Sequence, residues 1–458
     1  MIPSWELPYQ RPKREPAFPA AWLILAALIA FAAFGQNYEI SHPPGLTPDR
    51  AALRAVASEY GQKYDLAFNA IQKQKIISEA IEKISAVKLT TTGAQGSRNR
   101  MLIVLRKRLN PEAKIDDLRL NAATDDITDP SLQATAAQQR TKLNEALQKL
   151  YGSPRPPPNQ IKTLQQTISE ITGDDWPYSL VHEQTAKSAG TNLMKLTFMG
   201  VAFAVALLIG VVFIIAYLII RANGFWIPKS PPQGGASKIE ADTLALRMVL
   251  YLLVFGSGSL VVPIIQPFVS DTWLETAVAL FMLPILIAII HVPIFGSRLS
   301  LRAIGYRWNN FWINVGSAVY AYFATIPVVF ALVLISQNFP KNLPSRDHPI
   351  TQELTDPSRI PAVLVSAVLI APFLEELFFR GCLFQGILAR TRQPAVAFFL
   401  SSLAFASLHP QGAAAWLPLA GVGFMCALVF WQTGSLAASL ILHALWNFTL
   451  IMVELVGR

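Results

Sequence analysis

Three short patterns of ionisable and amide side chains lie in the last quarter of the 458-residue chain. In order, they are Glu375, Glu376 and Arg380, then Phe405 and His409, then His443 and Asn447. Carboxylates and imidazoles are common general bases and acids of hydrolysis, and imidazole and amide N–H groups can stabilise an oxyanion. The three patterns therefore predict acid–base chemistry, provided that the fold brings them together.

The first pattern indicates different roles for two adjacent carboxylates. Glu376 and Arg380 are four residues apart on one helix face, where a bidentate ion pair would keep Glu376 ionised. Neighbouring helix positions point about 100° apart, so the two carboxylates are not expected to face one point. Glu375 is then the freer carboxylate and a candidate general base. The alternative is that both glutamates form a solvated ion cluster at the membrane edge.

The two histidines also have structural alternatives. His409 is typical of an interfacial residue at a helix end, and His443 and Asn447, on one helix face, are typical of helix-packing hydrogen bonders. However, ionisable residues inside a span cost about 2.5–3.5 kcal/mol each on insertion scales, which favours a functional site. Glu375 precedes the turn near 390–393 by about 16 residues and His409 follows it by about 17, so their depths are similar. We expect them to meet across a helical hairpin.

The composition indicates that the residues of this site belong to a membrane protein. Hydrophobic residues make up 52% of the chain and charged residues 15%, with mean hydropathy +0.38. These values argue against a soluble globule and a disordered chain. The two cysteines exclude a disulfide framework and a Cys-rich zinc module. The net charge of +9 is not by itself a signal for nucleic acid, and no nucleic-acid partner is expected.

Nine stretches approach the roughly 20 apolar residues that a helix needs to cross a bilayer. They are 17–35, 195–220, 248–267, 276–295, 312–336, 360–380, 394–410, 412–431 and 435–456. The stretches 394–410 and 412–431 are nearly continuous, with a turn sequence at 409–412 between them. The prediction is an all-α polytopic bundle of eight or nine spans, with an extramembrane helical domain inserted after the first span.

Basic residues predict the orientation, because Lys and Arg collect in cytoplasmic loops. Those on the basic side are Arg11, Lys13, Arg14, Arg221, Lys229, Lys238, Arg247, Arg298, Arg302, Arg307, Arg380, Arg390 and Arg392. This places the N-terminus in the cytoplasm and 36–194 outside, in a multi-pass protein of the plasma membrane of a prokaryote. The first span, with Ala33 and Gly35 before Gln36, also resembles a signal peptide, although its length favours an anchor.

The chain divides into four regions: an N-terminal anchor at 1–35, an exported helical domain at 36–194, a span with a linker at 195–245, and the site-bearing membrane domain at 246–458. The exported region has helical patterns at 47–88, 101–122, 131–152 and 159–172, and its segment 90–99 predicts a turn. No catalytic motif occurs there, so we expect it to pack on the membrane part or to bind a partner protein. Segment 221–238 predicts a linker.

The three patterns resemble those of the CPBP family, which includes the type II CAAX prenyl endopeptidases, the Abi proteins and proteins similar to lysostaphin resistance protein A. The resemblance covers about 360–456, which the family pattern EExxxR, FxxxH and HxxxN matches in order. It implies an all-helical intramembrane peptidase that cuts membrane proteins or lipidated peptides in the lipid bilayer. It also implies that Glu375 activates water with help from His409 and that His443 and Asn447 stabilise the oxyanion. Glu376, counted with them in the catalytic set, and the supporting Arg380 are implied to hold the helix and tune the charge of the site.

Metal dependence and function class stay open at the level of sequence. Glu375, His409 and His443 could form a two-histidine, one-carboxylate zinc site, but the HExxH spacing is absent and a metal-independent glutamate peptidase is favoured. A non-catalytic scaffold or immunity protein that retains the motif is the first alternative. A proton-coupled transporter is the second, against which stands the lack of a detectable repeat of the spans.

Overall fold

The structure, a computed structural model, describes residues 20–41, 47–65, 70–110, 125, 127, 130–151, 156–172, 176, 178, 180–181, 189–223, 238–291, 304–306, 311–340, 343, 349–354 and 356–457. Helices dominate these residues, as predicted. The longer ones are α1 (Ala20–Ser41), α2 (Pro48–Asp65), α3 (Ala70–Ala86), α4 (Thr92–Leu109), α5 (Pro130–Tyr151), α6 (Pro158–Thr172), α7 (Ala189–Ala222), α8 (Lys238–Gly256), α9 (Leu274–His291), α10 (Phe311–Ser336), α11 (Pro357–Thr391), α12 (Pro394–Ser407), α13 (Trp416–Thr433) and α14 (Leu436–Gly457). The predicted linker falls mostly on 224–237, outside the described residues, as do the basic residues before α1.

Eight of the described helices are long and apolar enough to cross a membrane, and the chain is a polytopic helical bundle. They are α1, α7, α8, α9, α10, α11, α13 and α14. The predicted stretch 394–410 forms the 14-residue α12 instead, so a ninth full span was wrong. Such a helix is about 21 Å long, less than the roughly 30 Å hydrocarbon core. The turn that carries His409 is therefore reached before α12 has crossed the bilayer.

Two charged residues correct the predicted start of the third span and the orientation argument. This span is Ala241–Leu260 rather than 248–267. Arg247 is fully buried inside it and donates from Nη1 to the carbonyls of Ile289 and Ile290, at the end of α9. Arg380 is likewise buried within α11. Neither is a loop residue, so neither supports the orientation, which stays a prediction.

The described chain forms two compact units, one of which is Asn37–Met194. Its helices α2 to α6 enclose an apolar core that includes Leu53, Ile84, Met101, Leu147 and Ile168. The predicted turn at 90–99 was wrong, because α4 begins there despite its two glycines. Thr91 accepts a hydrogen bond from the Ala94 amide, and Asp125 accepts one from Thr92, so the first N–H groups of α4 are satisfied.

The other unit holds the remaining helices around two apolar clusters. One joins α1, α8, α9 and α11 through residues such as Leu25, Leu244, Leu286 and Phe384. The second joins α10, α13 and α14 through Ala318, Val422 and Leu442. Close helix approaches use glycine, since a Cβ at Gly421 of α13 would come within 2.4 Å of Leu332 on α10. These contacts fix α11 and α14, which carry five of the seven predicted site residues, together with α13.

Candidate active site

The helix that carries Glu375 and Glu376 is not a uniform α-helix. Two π-helical stretches, Val365–Ile370 and Leu377–Phe384, flank the α-helical turn Ala371–Glu376. Pro372 at the start of this turn has no N–H to donate to the preceding turn, which favours a break in the regular ladder. π-helical turns change which side chains share a face and occur often at functional sites. Local sequence patterns do not mark these two stretches.

Glu375 meets both predicted histidines. Its Oε2 lies 3.8 Å from Nε2 of His409 and 3.8 Å from Nε2 of His443. The His443 side chain is 2% exposed, that of His409 15% and that of Glu375 31%. Oε2 of Glu375 is buried and has no direct hydrogen-bond partner among the residues that the structure describes. The three patterns thus bring one carboxylate and two imidazoles to a common point.

Glu376 is the centre of a second, fully buried network. Its Oε1 accepts from Nη1 of Arg380 at 2.7 Å and contacts Nδ1 of His443 at 2.9 Å. The hydroxyl of Ser439 donates to Oε2, and Nη2 of Arg380 donates to the Gly423 carbonyl at 2.8 Å. Both members of the ion pair are 1% exposed, which excludes a solvated cluster at the membrane edge for these two residues.

The two adjacent carboxylates face different edges of a single imidazole ring. The imidazole of His443 lies between them, with Nδ1 towards Glu376 and Nε2 towards Glu375. One ring therefore connects the enclosed Glu376 network with the more exposed Glu375. Since its two nitrogens lie on different edges, one imidazole can contact two carboxylates whose helix positions differ by about 100°.

Phe405 fixes the two imidazoles from the side. Its ring centroid lies 4.3 Å from that of His409 and 5.5 Å from that of His443, and the Arg380 guanidinium lies 4.7 Å from it. His409 is also held by its own helix, because its Nδ1 lies 2.6 Å from the Phe405 carbonyl. The Nε2 edge of His409 is thereby turned towards Glu375.

Asn447 takes a different position from the rest of the set. Its Nδ2 donates to the Ala367 carbonyl at 2.8 Å, in the first π-helical stretch of α11. This contact joins α14 to α11 beside the cluster. The amide has a second hydrogen, so an oxyanion contact from Asn447 stays a prediction.

Two residues of the site were missed in the sequence. Ser439 precedes His443 by four residues, so Ser439, His443 and Asn447 share one face of α14, a spacing that could have revealed it. Tyr251 of α8 packs on Phe378 with ring centroids 5.1 Å apart and donates its hydroxyl to the Leu374 carbonyl at 3.4 Å. No local pattern connects Tyr251 to the site, because Leu374 and Phe378 lie more than 120 residues away in the sequence.

An apolar cavity of about 470 Å³ is lined by residues of α9, α11 and α14, some of which are close in sequence to the cluster. Its lining includes Leu283, Ile370, Phe373, Ala444 and Phe448. Phe373 is two residues from Glu375, and Ala444 follows His443 directly. The cavity is therefore suited to hydrocarbon rather than to a charged group.

The arrangement of the two histidines bears on the zinc alternative. Among the residues that the structure describes, no group of three or more His, Cys, Asp or Glu side chains is arranged to hold a metal ion. The Nδ1 atom of each imidazole faces an acceptor, the Phe405 carbonyl for His409 and Glu376 for His443. These contacts leave both Nε2 atoms facing Glu375, and metal dependence stays a prediction.

The comparison with protein families gives one match. Residues 357–449 match the model of the Rce1-like type II CAAX prenyl endopeptidases. This stretch is an Rce1-like domain. The predicted resemblance to the CAAX protease family is confirmed for residues 357–449, which run from α11 into α14 and include all seven predicted site residues. No curated protein and no solved structure matches the chain.

Proposed function

We propose that the chain is an intramembrane endopeptidase in which Glu375 activates water. The observation that supports this most strongly is the convergence of Glu375 Oε2 with Nε2 of His409 and His443, each at 3.8 Å. That separation is too long for a direct hydrogen bond but suits a water that contacts all three groups. The family match adds that such domains belong to proteases.

The proposed reaction uses each residue for a separate task. Glu375 takes a proton from water, whose oxygen attacks the carbonyl carbon of the scissile peptide. The peptide C–N bond then breaks as Glu375 passes this proton to the leaving nitrogen, which gives a carboxylic acid and an amine. His409 orients the water. We assign a proton to each ring nitrogen of His443, so that Nδ1 donates to the Glu376 carboxylate and Nε2 donates to the oxyanion. Arg380 balances the charge of Glu376, and the low-dielectric surroundings strengthen these interactions.

The proposed substrate is a membrane protein or a lipidated peptide. The site is carried by membrane-spanning helices, and the 470 Å³ cavity is lined by apolar side chains such as Phe373 and Phe448. A soluble peptide would gain little from this lining, whereas an apolar segment would bury hydrocarbon against it. For the unit Asn37–Met194 we propose binding of a protein partner, since it forms its own core.

The test compares Glu375→Gln with the wild type in proteoliposomes, with a membrane-anchored peptide that fluoresces on cleavage. We expect Glu375→Gln to lose at least about 100-fold in kcat, because a general base contributes roughly 10²–10⁴-fold. Glu454→Gln, at the far end of α14, is the matched control and should cleave normally. Wild-type cleavage by Glu375→Gln would refute the proposal.

A chelator separates the metal-free reaction from a zinc-dependent one. We expect dialysis against EDTA and phenanthroline to leave the wild-type rate unchanged. Loss of cleavage that returns on addition of Zn²⁺ would show a zinc site and would refute the metal-free mechanism.

A further inference from the structure

Near its N-terminal end, the first helix α1 contacts other helices of the same unit. Nε1 of Trp22 donates to Asp242 of α8 at 3.0 Å, and Arg390 of α11 lies 3.4 Å from the same carboxylate. The Trp22 ring occupies the space above Gly386, where a Cβ would come within 2.9 Å of it. These contacts lie on α8 and α11, so α1 is packed into the helices that carry Glu375.

The other end of α1 reaches the turn of His409. Nε2 of Gln36 donates to the Leu408 carbonyl at 3.2 Å, across 372 residues of sequence. Ala33, one turn earlier, is buried. Gln36 thus contacts the residue directly before one of the two imidazoles that face Glu375.

The Leu408 carbonyl belongs to the peptide group that leads into His409. A peptide group is planar, so the Leu408 oxygen and the His409 nitrogen move together. The His409 amide donates to the Ala406 carbonyl at 3.2 Å, which holds one edge of this plane. Gln36 holds the opposite edge through the oxygen.

The turn has little other regular structure to hold it. Helix α12 ends at Ser407, and the chain passes through Gly412, whose φ of 85° only glycine adopts readily. Carbonyls at the end of a helix lack intrahelical partners, so a donor from another helix satisfies one and restricts the turn.

We propose that Gln36 is a positioning residue for His409 and that α1 is therefore required for full protease activity. This rests on the proposed function. The proposal predicts that α1 is not cleaved in the active protein. A cut after Gly35, where the sequence resembles a signal-peptide site, would separate Gln36 from the part of α1 that precedes it. Gln36 acts through the backbone of the turn and does not touch the reacting atoms.

The experiment replaces Gln36 with methionine, which has a similar length but no N–H donor. Gln432→Met is the matched control, since Nε2 of Gln432 donates to the Tyr217 hydroxyl at 2.7 Å in another part of the bundle. We expect Gln36→Met to lower kcat about tenfold with KM unchanged, which is the loss expected for one positioning hydrogen bond. Gln36→Lys, which restores a donor of similar reach, should recover most of kcat.

A second measurement does not depend on catalysis. Hydrogen exchange at the His409 amide of the full chain should accelerate in Gln36→Met and stay at the wild-type rate in Gln432→Met. Unchanged exchange, or equal loss of kcat in both variants, would overturn the proposal. If Glu375→Gln is inactive while Gln36→Met cleaves normally, only this inference fails. If Glu375→Gln cleaves normally, the proposed function fails and the exchange result still decides the role of Gln36 in the turn.

Discussion

The two glutamates of α11 differ in what their removal costs. Glu376 is enclosed by Arg380, His443 and Ser439, whereas Glu375 Oε2 has no direct partner among the described residues and its side chain is 31% exposed. A buried ion pair contributes little by itself, but the removal of one member leaves an uncompensated charge. The neighbouring carboxylates should therefore separate into a structural one and a catalytic one.

This difference predicts opposite effects on stability and activity. Glu376→Ala and Arg380→Ala should each lower the unfolding free energy by about 3–5 kcal/mol, the usual cost of breaking a buried pair. Glu375→Ala should leave the melting temperature close to the wild type while cleavage is lost. Thermal unfolding in detergent measures this, and a Glu375→Ala variant as unstable as Glu376→Ala would contradict it.

A third acidic residue predicts a pH dependence of stability. Glu353 lies before α11, and burial, reinforced by the carboxylate of Glu275 and opposed by Arg359, raises its pKa from 4.5 to about 7. A carboxyl whose pKa is raised by folding binds its proton more tightly in the folded state. The folded state therefore loses stability as pH rises from about 4.5 to about 7.

Glu353→Gln removes this titration. The wild type should melt at a lower temperature at pH 8 than at pH 5, and the difference should shrink in Glu353→Gln. Melting curves at the two pH values measure it, with Glu454→Gln as the control that keeps the wild-type difference. An equal pH difference in wild type and Glu353→Gln would count against the raised pKa.

At the level of helices, pairs of residues four positions apart could be predicted from the sequence only where both lie on the same helix. The pair Glu376 and Arg380 forms as its spacing indicates, and the count along the hairpin places Glu375 beside His409. The π-helical stretches, the ring of His443 between two carboxylates and the contact of Tyr251 depend on tertiary packing. Local periodicity does not contain that information.

Glycine positions show the same limit. Gly423 of α13 permits the close approach of α12, since a Cβ there would lie 3.1 Å from the Phe405 ring and 3.2 Å from Cα of Ser402. In the sequence, Gly423 stands among other small residues of an apolar run without a mark of its own. Its carbonyl also accepts from Arg380, so this one backbone position holds both Phe405 and the ion pair.

The packing at Gly423 yields a prediction about the α12–α13 contact. Gly423→Ala should push Phe405 away from the imidazoles, lower the unfolding free energy by about 1–3 kcal/mol as overpacking does, and reduce kcat. Gly316→Ala on α10 is the control, because a Cβ there meets no atom within 4 Å. Wild-type kcat and stability in Gly423→Ala would show that the turn of α12 does not depend on this approach.

For the whole molecule, some of the basic residues that predict the membrane orientation lie in loops or at helix ends, and two do not. Arg247 and Arg380 are buried among helices, so they do not count among the loop residues to which the positive-inside rule applies. Arg221 at the end of α7 stays exposed, and Arg390 and Arg392 lie at the turn between α11 and α12. The positive-inside rule applied to these three still favours a cytoplasmic N-terminus with 37–194 on the opposite side.

Labelling of one introduced cysteine at a time can determine this orientation, with the two native cysteines kept in place. Cys382 and Cys426 are both fully buried, so neither should react with a membrane-impermeant maleimide in intact cells. Lys75→Cys, at an exposed position of α3, should be labelled in intact cells, and Arg221→Cys only after the membrane is permeabilised. The wild type is the control for background labelling. Labelling of Arg221→Cys but not Lys75→Cys in intact cells would reverse the orientation, because the two positions are separated by the single span α7.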